Sequence, residues 1–107
     1  MINNTQEAGG VVNKFSNCIN SDKSLTSNMS DVVLNANSVR TYAAFINNSS
    51  IDITLVLGDK ANTTVGKGIV LKPRGGSYEI NSNNLYIGKV SAIATNNCKL
   101  SFVECIE

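Results

Sequence analysis

The chain has 107 residues, 42% of them hydrophobic and 16% charged, so it holds one domain and little more. Nine basic against eight acidic side chains leave a formal charge of +1, which supplies no field to draw nucleic acid or an anionic membrane surface. With no His, no Trp and three Cys, the usual general base and zinc ligand sets are missing, so no catalytic residue, cofactor or metal is expected.

Residues 1–10 read MINNTQEAGG, without the basic start and apolar run of a secretory signal. No apolar stretch approaches the roughly twenty residues that span a bilayer. A soluble chain made in the cytosol is the expectation, and with it reduced, structural thiols at Cys18, Cys98 and Cys105. Cys98 and Cys105 stand seven apart, which on one regular strand puts them on opposite faces about 23 Å apart. A disulfide would have to use Cys18, a bulge or another chain.

Residues 1–29 carry Val11, Val12, Phe15, Ile19, Leu25 and Met29 among Asn and Ser, with a period of neither 2 nor 3.6. Two readings stand: an extended arm whose apolar residues anchor it on something else, or a terminus that nothing ties down.

From Ser30 onward short β-branched and aromatic runs alternate with Asn, Gly, Ser and Pro clusters, so a domain over 30–107 is expected. Strands are predicted at 31–34 and 39–47. In the run 51–57, Ile51, Ile53, Leu55 and Leu57 share one face, while Asp52 and Thr54 point to water. A polar loop at 58–68 leads to a strand at 69–71, and Lys72-Pro73-Arg74-Gly75 fits a type I turn. Residues 77–80 return from it, and 85–95 with 100–106 form a last hairpin around Asn96-Asn97. Short strands between turn signals predict an all-β fold, a small antiparallel β-sandwich or barrel with an extended N-terminal arm. A folded part of about 78 residues buries only some 60–65% of its extended-chain surface, which points to oligomerisation.

The individual motifs carry little chemistry. The loop 58–68 resembles a phosphate-binding loop only until Gly66-Lys67, where Gly68 replaces the required Ser or Thr. Asn-x-Ser/Thr triplets at Asn3, Asn28, Asn47, Asn48 and Asn62 follow from composition. The carboxylates are scattered, leaving no hydrolase pair and no expected enzyme. Arg40, Arg74 and Lys72 are candidates for an acidic partner, with Arg40 alternatively pairing Glu79 or another carboxylate. Tyr42, Tyr78 and Tyr86 read either as core edge and interface or as an aromatic sugar platform.

Several phrases then occur in order: Asn37-Ser38-Val39-Arg40, Phe45-Ile46-Asn47-Asn48-Ser49, Ile53-Thr54-Leu55-Val56-Leu57-Gly58, Gly68-Ile69-Val70-Leu71-Lys72-Pro73-Arg74-Gly75-Gly76-Ser77-Tyr78-Glu79-Ile80, and Gly88-Lys89-Val90-Ser91-Ala92-Ile93. The series resembles a small β-domain of tailed-bacteriophage virion structural proteins, in which an Arg opens a strand and a Gly-Gly-Ser-Tyr-Glu turn follows. The resemblance covers roughly residues 37–105, and Arg74 stands where its turn has a first Gly.

Such domains belong to capsid decoration (cement) proteins, head fibres and tail or adhesin components. The resemblance therefore implies a virion structural protein on the capsid surface, assembled in the host cytoplasm, with the phage major capsid protein as its partner. A single domain plus an arm, without coiled coil or fibre shaft, favours a decoration protein, as a homotrimer. The alternative is a fibre-tip or receptor-binding domain that reads a host surface glycan. Expected partner contacts are Val11, Val12, Phe15, Ile19 and Leu25 as arm anchors, with Arg40, Tyr42 and Tyr78 at subunit contacts.

Overall fold

The computed structural model describes residues 16–107. In chain order the strands are β1 (Asn17–Leu25), β2 (Asp31–Leu34), β3 (Arg40–Asn47), β4 (Ile53–Leu57), β5 (Ile69–Leu71), β6 (Gly76–Ile80), β7 (Val90–Ile93) and β8 (Cys98–Ile106). A single 3-10 turn, Lys60–Asn62, lies between β4 and β5. The strands make two four-stranded antiparallel sheets, β1-β8-β3-β6 (sheet A) and β2-β7-β4-β5 (sheet B).

That order follows one rule. Each strand of the first half pairs with its counterpart in the second: β1 with β8, β2 with β7, β3 with β6, and β4 with β5. The chain is one long antiparallel ribbon, rolled so that β3 also meets β8 and β4 meets β7. This is the eight-stranded jelly roll, a form of the β-sandwich that the sequence predicts.

Strands predicted at 31–34, 39–47, 69–71 and 77–80 fall within one residue of β2, β3, β5 and β6. The last hairpin does not form. Residues 85–95 supply only the four-residue β7 in sheet B, while β8 lies in sheet A, because a rolled ribbon sends these consecutive strands to opposite layers. The boundary at Ser30 also moves: part of the segment expected as an arm is β1, paired along its full length with β8. Its partner is nearly the whole chain away, and its side chains face solvent on both sides, so neither local pattern nor period marks it as a strand.

The core lies between the sheets. Ala43, Phe45, Ile80 and Leu100 come from sheet A; Leu34, Ile53, Leu55, Leu71, Val90 and Ala92 from sheet B, with Leu25 at the edge. Alternation of inward apolar residues along β3 and β4 builds this layer, each large side chain contributing about 1.5–3 kcal/mol on burial. Thr54 departs from the expectation that it points to water: it is on the outer face of β4 but buried, because the loop 58–68 folds back over it.

The 72–76 turn also differs from its prediction. A type I turn keeps negative φ at its third residue, whereas Arg74 has φ +61° and Gly75 φ +127°. The closing hydrogen bond runs from Gly76 N to Lys72 O at 3.0 Å. A Cβ on Gly76 would run into the backbone N and O of Lys72. Gly76→Ala is therefore expected to lose about 2 kcal/mol or more, since backbone must move. Arg74→Gly exchanges about 1–2 kcal/mol of left-handed strain for about 0.5–1 kcal/mol of backbone entropy, and is expected to leave stability unchanged or slightly raised. Urea unfolding of the two variants checks both signs.

Candidate interaction face

Three of the expected contact residues, Val11, Val12 and Phe15, lie outside the described residues. The other five part company. Ile19 is 67% exposed on β1, but Leu25 at the far end of the same strand is 2% exposed and belongs to the protein's own core. Leu25 is thus an internal anchor, because the strand reaches the sandwich edge only there, opposite Cys98.

Arg40 is corrected in the same way. It is 1% exposed, its Nε donating to Glu104 Oε2 at 2.7 Å, Nη1 to Tyr86 O at 2.8 Å and Gly88 O at 3.0 Å, and Nη2 to Asn35 O at 2.7 Å. The register is irregular between Arg40 and Tyr42, and such a bulge re-aims a side chain. It turns Arg40 inward while Tyr42 faces outward. The carboxylate it finds is Glu104, not Glu79.

At the other end of β3, Asn47 is wholly buried. Its Nδ2 donates to Ile51 O at 2.7 Å and Leu71 O at 2.8 Å, and its Oδ1 accepts from Ser49 N at 2.9 Å and Ser49 Oγ at 2.6 Å. Both residues are fasteners rather than contacts.

The two outer faces differ. Over sheet B the loop 58–68 lies on the strands: Ser91 Oγ donates to Gly58 O at 2.7 Å, and Gly66 N donates to Thr54 Oγ1 at 2.9 Å. Over sheet A no described segment does this. Cross-strand register places Tyr42, Ala44 and Ile46 of β3 beside Val103 and Ser101 of β8, Ser77 and Glu79 of β6, and Asn20 of β1. These residues line one shallow groove of about 490 Å³, with an apolar centre and a polar rim. Of the sequence candidates, Tyr42 and Tyr78 border it. The rest was missed, although β3 carries apolar residues on both faces, Ala43 and Phe45 inward against Ala44 and Ile46 outward, and that was the available signal.

Tyr42 Oη donates to Glu79 Oε2, a charge-assisted bond that braces β3 against β6. The bond holds the Tyr42 phenol above its ordinary pKa of 10.0, with desolvation and the carboxylate charge adding to it. It likewise holds Glu79 below 4.5, helped by Asn81 Nδ2. The sign follows for each partner. A raised phenol gives stability that is present below pH 10.0 and lost as pH rises through its folded value; a depressed carboxyl gives stability present above pH 4.5 and lost as pH falls through its folded value. The brace is complete between these limits.

The tyrosines do not assemble into a sugar platform. Tyr78 packs against the core beneath the groove rim, and Tyr86 lies in the connection before β7, its Oη donating to Lys89 O at 2.8 Å.

The expectation of reduced thiols is overturned at two of the three cysteines. Cys18 and Cys105 are directly opposite in register and form a disulfide within the chain. Cys98 is free, on the inner side of β8, and burial raises its thiol above 9.0 against a smaller opposing hydrogen bond with Ser49. The disulfide closes a separation of 87 residues, worth about 4–5 kcal/mol in the chain-entropy picture. It has work to do: of nine β1 side chains only Leu25 is buried. Ordering a residue costs about 1–2 kcal/mol while a ladder hydrogen bond returns about 0.5–1.5 kcal/mol, so such a strand is near balance by itself.

Among the described residues no three His, Cys, Asp or Glu side chains could together hold a metal, and no helix is long and apolar enough to cross a membrane. No protein-family model, curated protein or solved structure matches the chain.

Arg40→Met is expected to cost about 3 kcal/mol or more in chemical denaturation, because it strands Glu104 and three carbonyl oxygens together. Spectrophotometric titration of Glu79→Gln is expected to move the Tyr42 phenol back toward pH 10; an unmoved midpoint would remove the brace.

Proposed function

We propose that the chain is a structural protein of a tailed-phage virion: a capsid decoration protein that seats on the outer surface of the major capsid shell and ties neighbouring subunits together. The observation that carries this reading is the asymmetry of the two sheets. Sheet B is partly covered by its own loop, which is hydrogen-bonded to Thr54 and Ser91, whereas sheet A presents a broad groove with an apolar centre at Ala44, Ile46 and Val103. An apolar centre within a polar rim is the anatomy of a protein–protein contact. With a formal charge of +1, such a contact rests on shape and apolar burial more than on steering.

The jelly roll serves viral capsid domains, lectins and cupins alike, so topology alone does not choose among them. The choice comes from the ordered phrases between Asn37 and Ile93 that resemble phage virion domains. Homotrimer formation at local three-fold positions of the shell suits a small sandwich with one open face.

The test combines the solution mass by light scattering with a pull-down onto undecorated phage heads. Wild-type chain is expected to be trimeric and to bind. Ile46→Lys and Val103→Lys are each expected to weaken binding by about tenfold or more, with unfolding midpoints unchanged. Undiminished binding by both variants would move the interface off sheet A; a monomer that ignores heads would remove the decoration role.

A further inference from the structure

β1 is held at two ends by different means. At its C-terminal end the attachment is non-covalent and dense. Leu25 is buried, Lys23 Nζ sits 3.0 Å from Asp31 Oδ2, and the connector is tied to the β7–β8 connection through Ser27 N to Asn97 Oδ1 at 2.8 Å and Asn28 N to Ala94 O at 2.8 Å. At its N-terminal end every side chain from Asn17 to Asp22 is exposed, and among the described residues the fastening beyond the backbone ladder is the Cys18–Cys105 disulfide.

We propose that this disulfide is a redox latch: oxidised, it holds residues 17–22 on β8; reduced, it lets them lift away while the rest of the sandwich stays folded. The released form exposes the edge of β8. The inference stands apart from the capsid reading, since it rests only on how β1 is attached.

The chemistry is thiol–disulfide exchange with a dithiol. Cys18 is exposed and Cys105 is buried, so the attacking thiolate reaches the Cys18 sulfur. A bond forms between the reductant sulfur and Cys18 Sγ, the Cys18–Cys105 bond breaks, and Cys105 leaves as a thiolate that takes a proton. The second thiol of the reductant then displaces Cys18, closing the reductant's own disulfide. Two electrons and two protons pass from the dithiol to the protein. Re-oxidation requires the reverse exchange with an oxidised dithiol. Cys98 takes no part, because it lies on the opposite face of β8.

Hydrogen exchange of the full chain, with and without dithiothreitol, tests the latch. After reduction, amides of residues 17–22 are expected to exchange at close to the rate of an unprotected chain, while β4 and β7, lowered in common with the whole domain by the lost cross-link, stay at least about a hundredfold protected. Unchanged protection in β1 would mean the ladder alone holds the strand, and exchange of β4 and β7 at the same unprotected rate would mean that reduction unfolds the whole domain instead. Either result overturns the proposal, as does a count of three free thiols in the unfolded, unreduced chain. Cys98→Ser, measured alongside, excludes exchange through the free thiol. Cys18→Ser is expected to reproduce the reduced pattern without reductant; should it fail to fold, the wild-type comparison still decides.

Discussion

The guanidinium of Arg40 sets the condition under which the two sheets close. An unpaired charge at its depth would cost several kcal/mol, and its partners belong to three separate places: Glu104 on β8, Asn35 after β2, and Tyr86 and Gly88 before β7. None of these satisfies it alone. The charge is therefore accommodated only when sheet A and the connections of sheet B are assembled together, which makes this end of the sandwich all-or-none. Asn47 imposes the same condition at the other end of β3 with neutral groups, joining the β3–β4 connection to β5. Strand β3, flanked by β8 and β6, is the spine that both fasteners grip.

With the layers fixed this way, the outer faces are free to diverge. The β4–β5 connection is long enough to turn back, and its polar backbone satisfies Thr54 and Ser91, two hydroxyl residues that would otherwise be solvated on sheet B. Sheet A has no equivalent among the described residues. Its outer positions are apolar where β3 and β8 touch and polar at the margins, a distribution that neither core formation nor simple solubility requires.

The legibility of the sequence follows the range of the interactions. Strands whose patterning is local, such as Arg40–Asn47 and Ile69–Leu71, were readable from alternation and turn residues. The pairing of β7 with β2 and β4, rather than with β8, depends on how the ribbon rolls and leaves no local mark. An Arg at a strand opening and a Leu in a polar run look like surface features, so by sequence Arg40 and Leu25 read as contacts. Burial by distant segments changed their meaning. The groove had a signal in the doubly apolar β3, but recognising it required knowing which face was already covered. The ordered phrases between Asn37 and Ile93 contain the fasteners Arg40 and Asn47 and the Gly76 turn, so what they encode most directly is the sandwich itself.

The segment read as an arm shows why strand and arm are not exclusive descriptions. β1 is a strand by pairing, since every residue from Asn17 to Leu25 has a partner on β8. It is an arm by burial, since it gives the core a single side chain. Hydrophobic patterning detects burial and is blind to pairing, so a ribbon end that contributes almost no apolar surface is invisible to it. What such a strand lacks in packing must come from elsewhere, and the cross-strand disulfide to Cys105 supplies it. The attachment of this end therefore depends on redox chemistry, while the fold between Arg40 and Asn47 depends on burial.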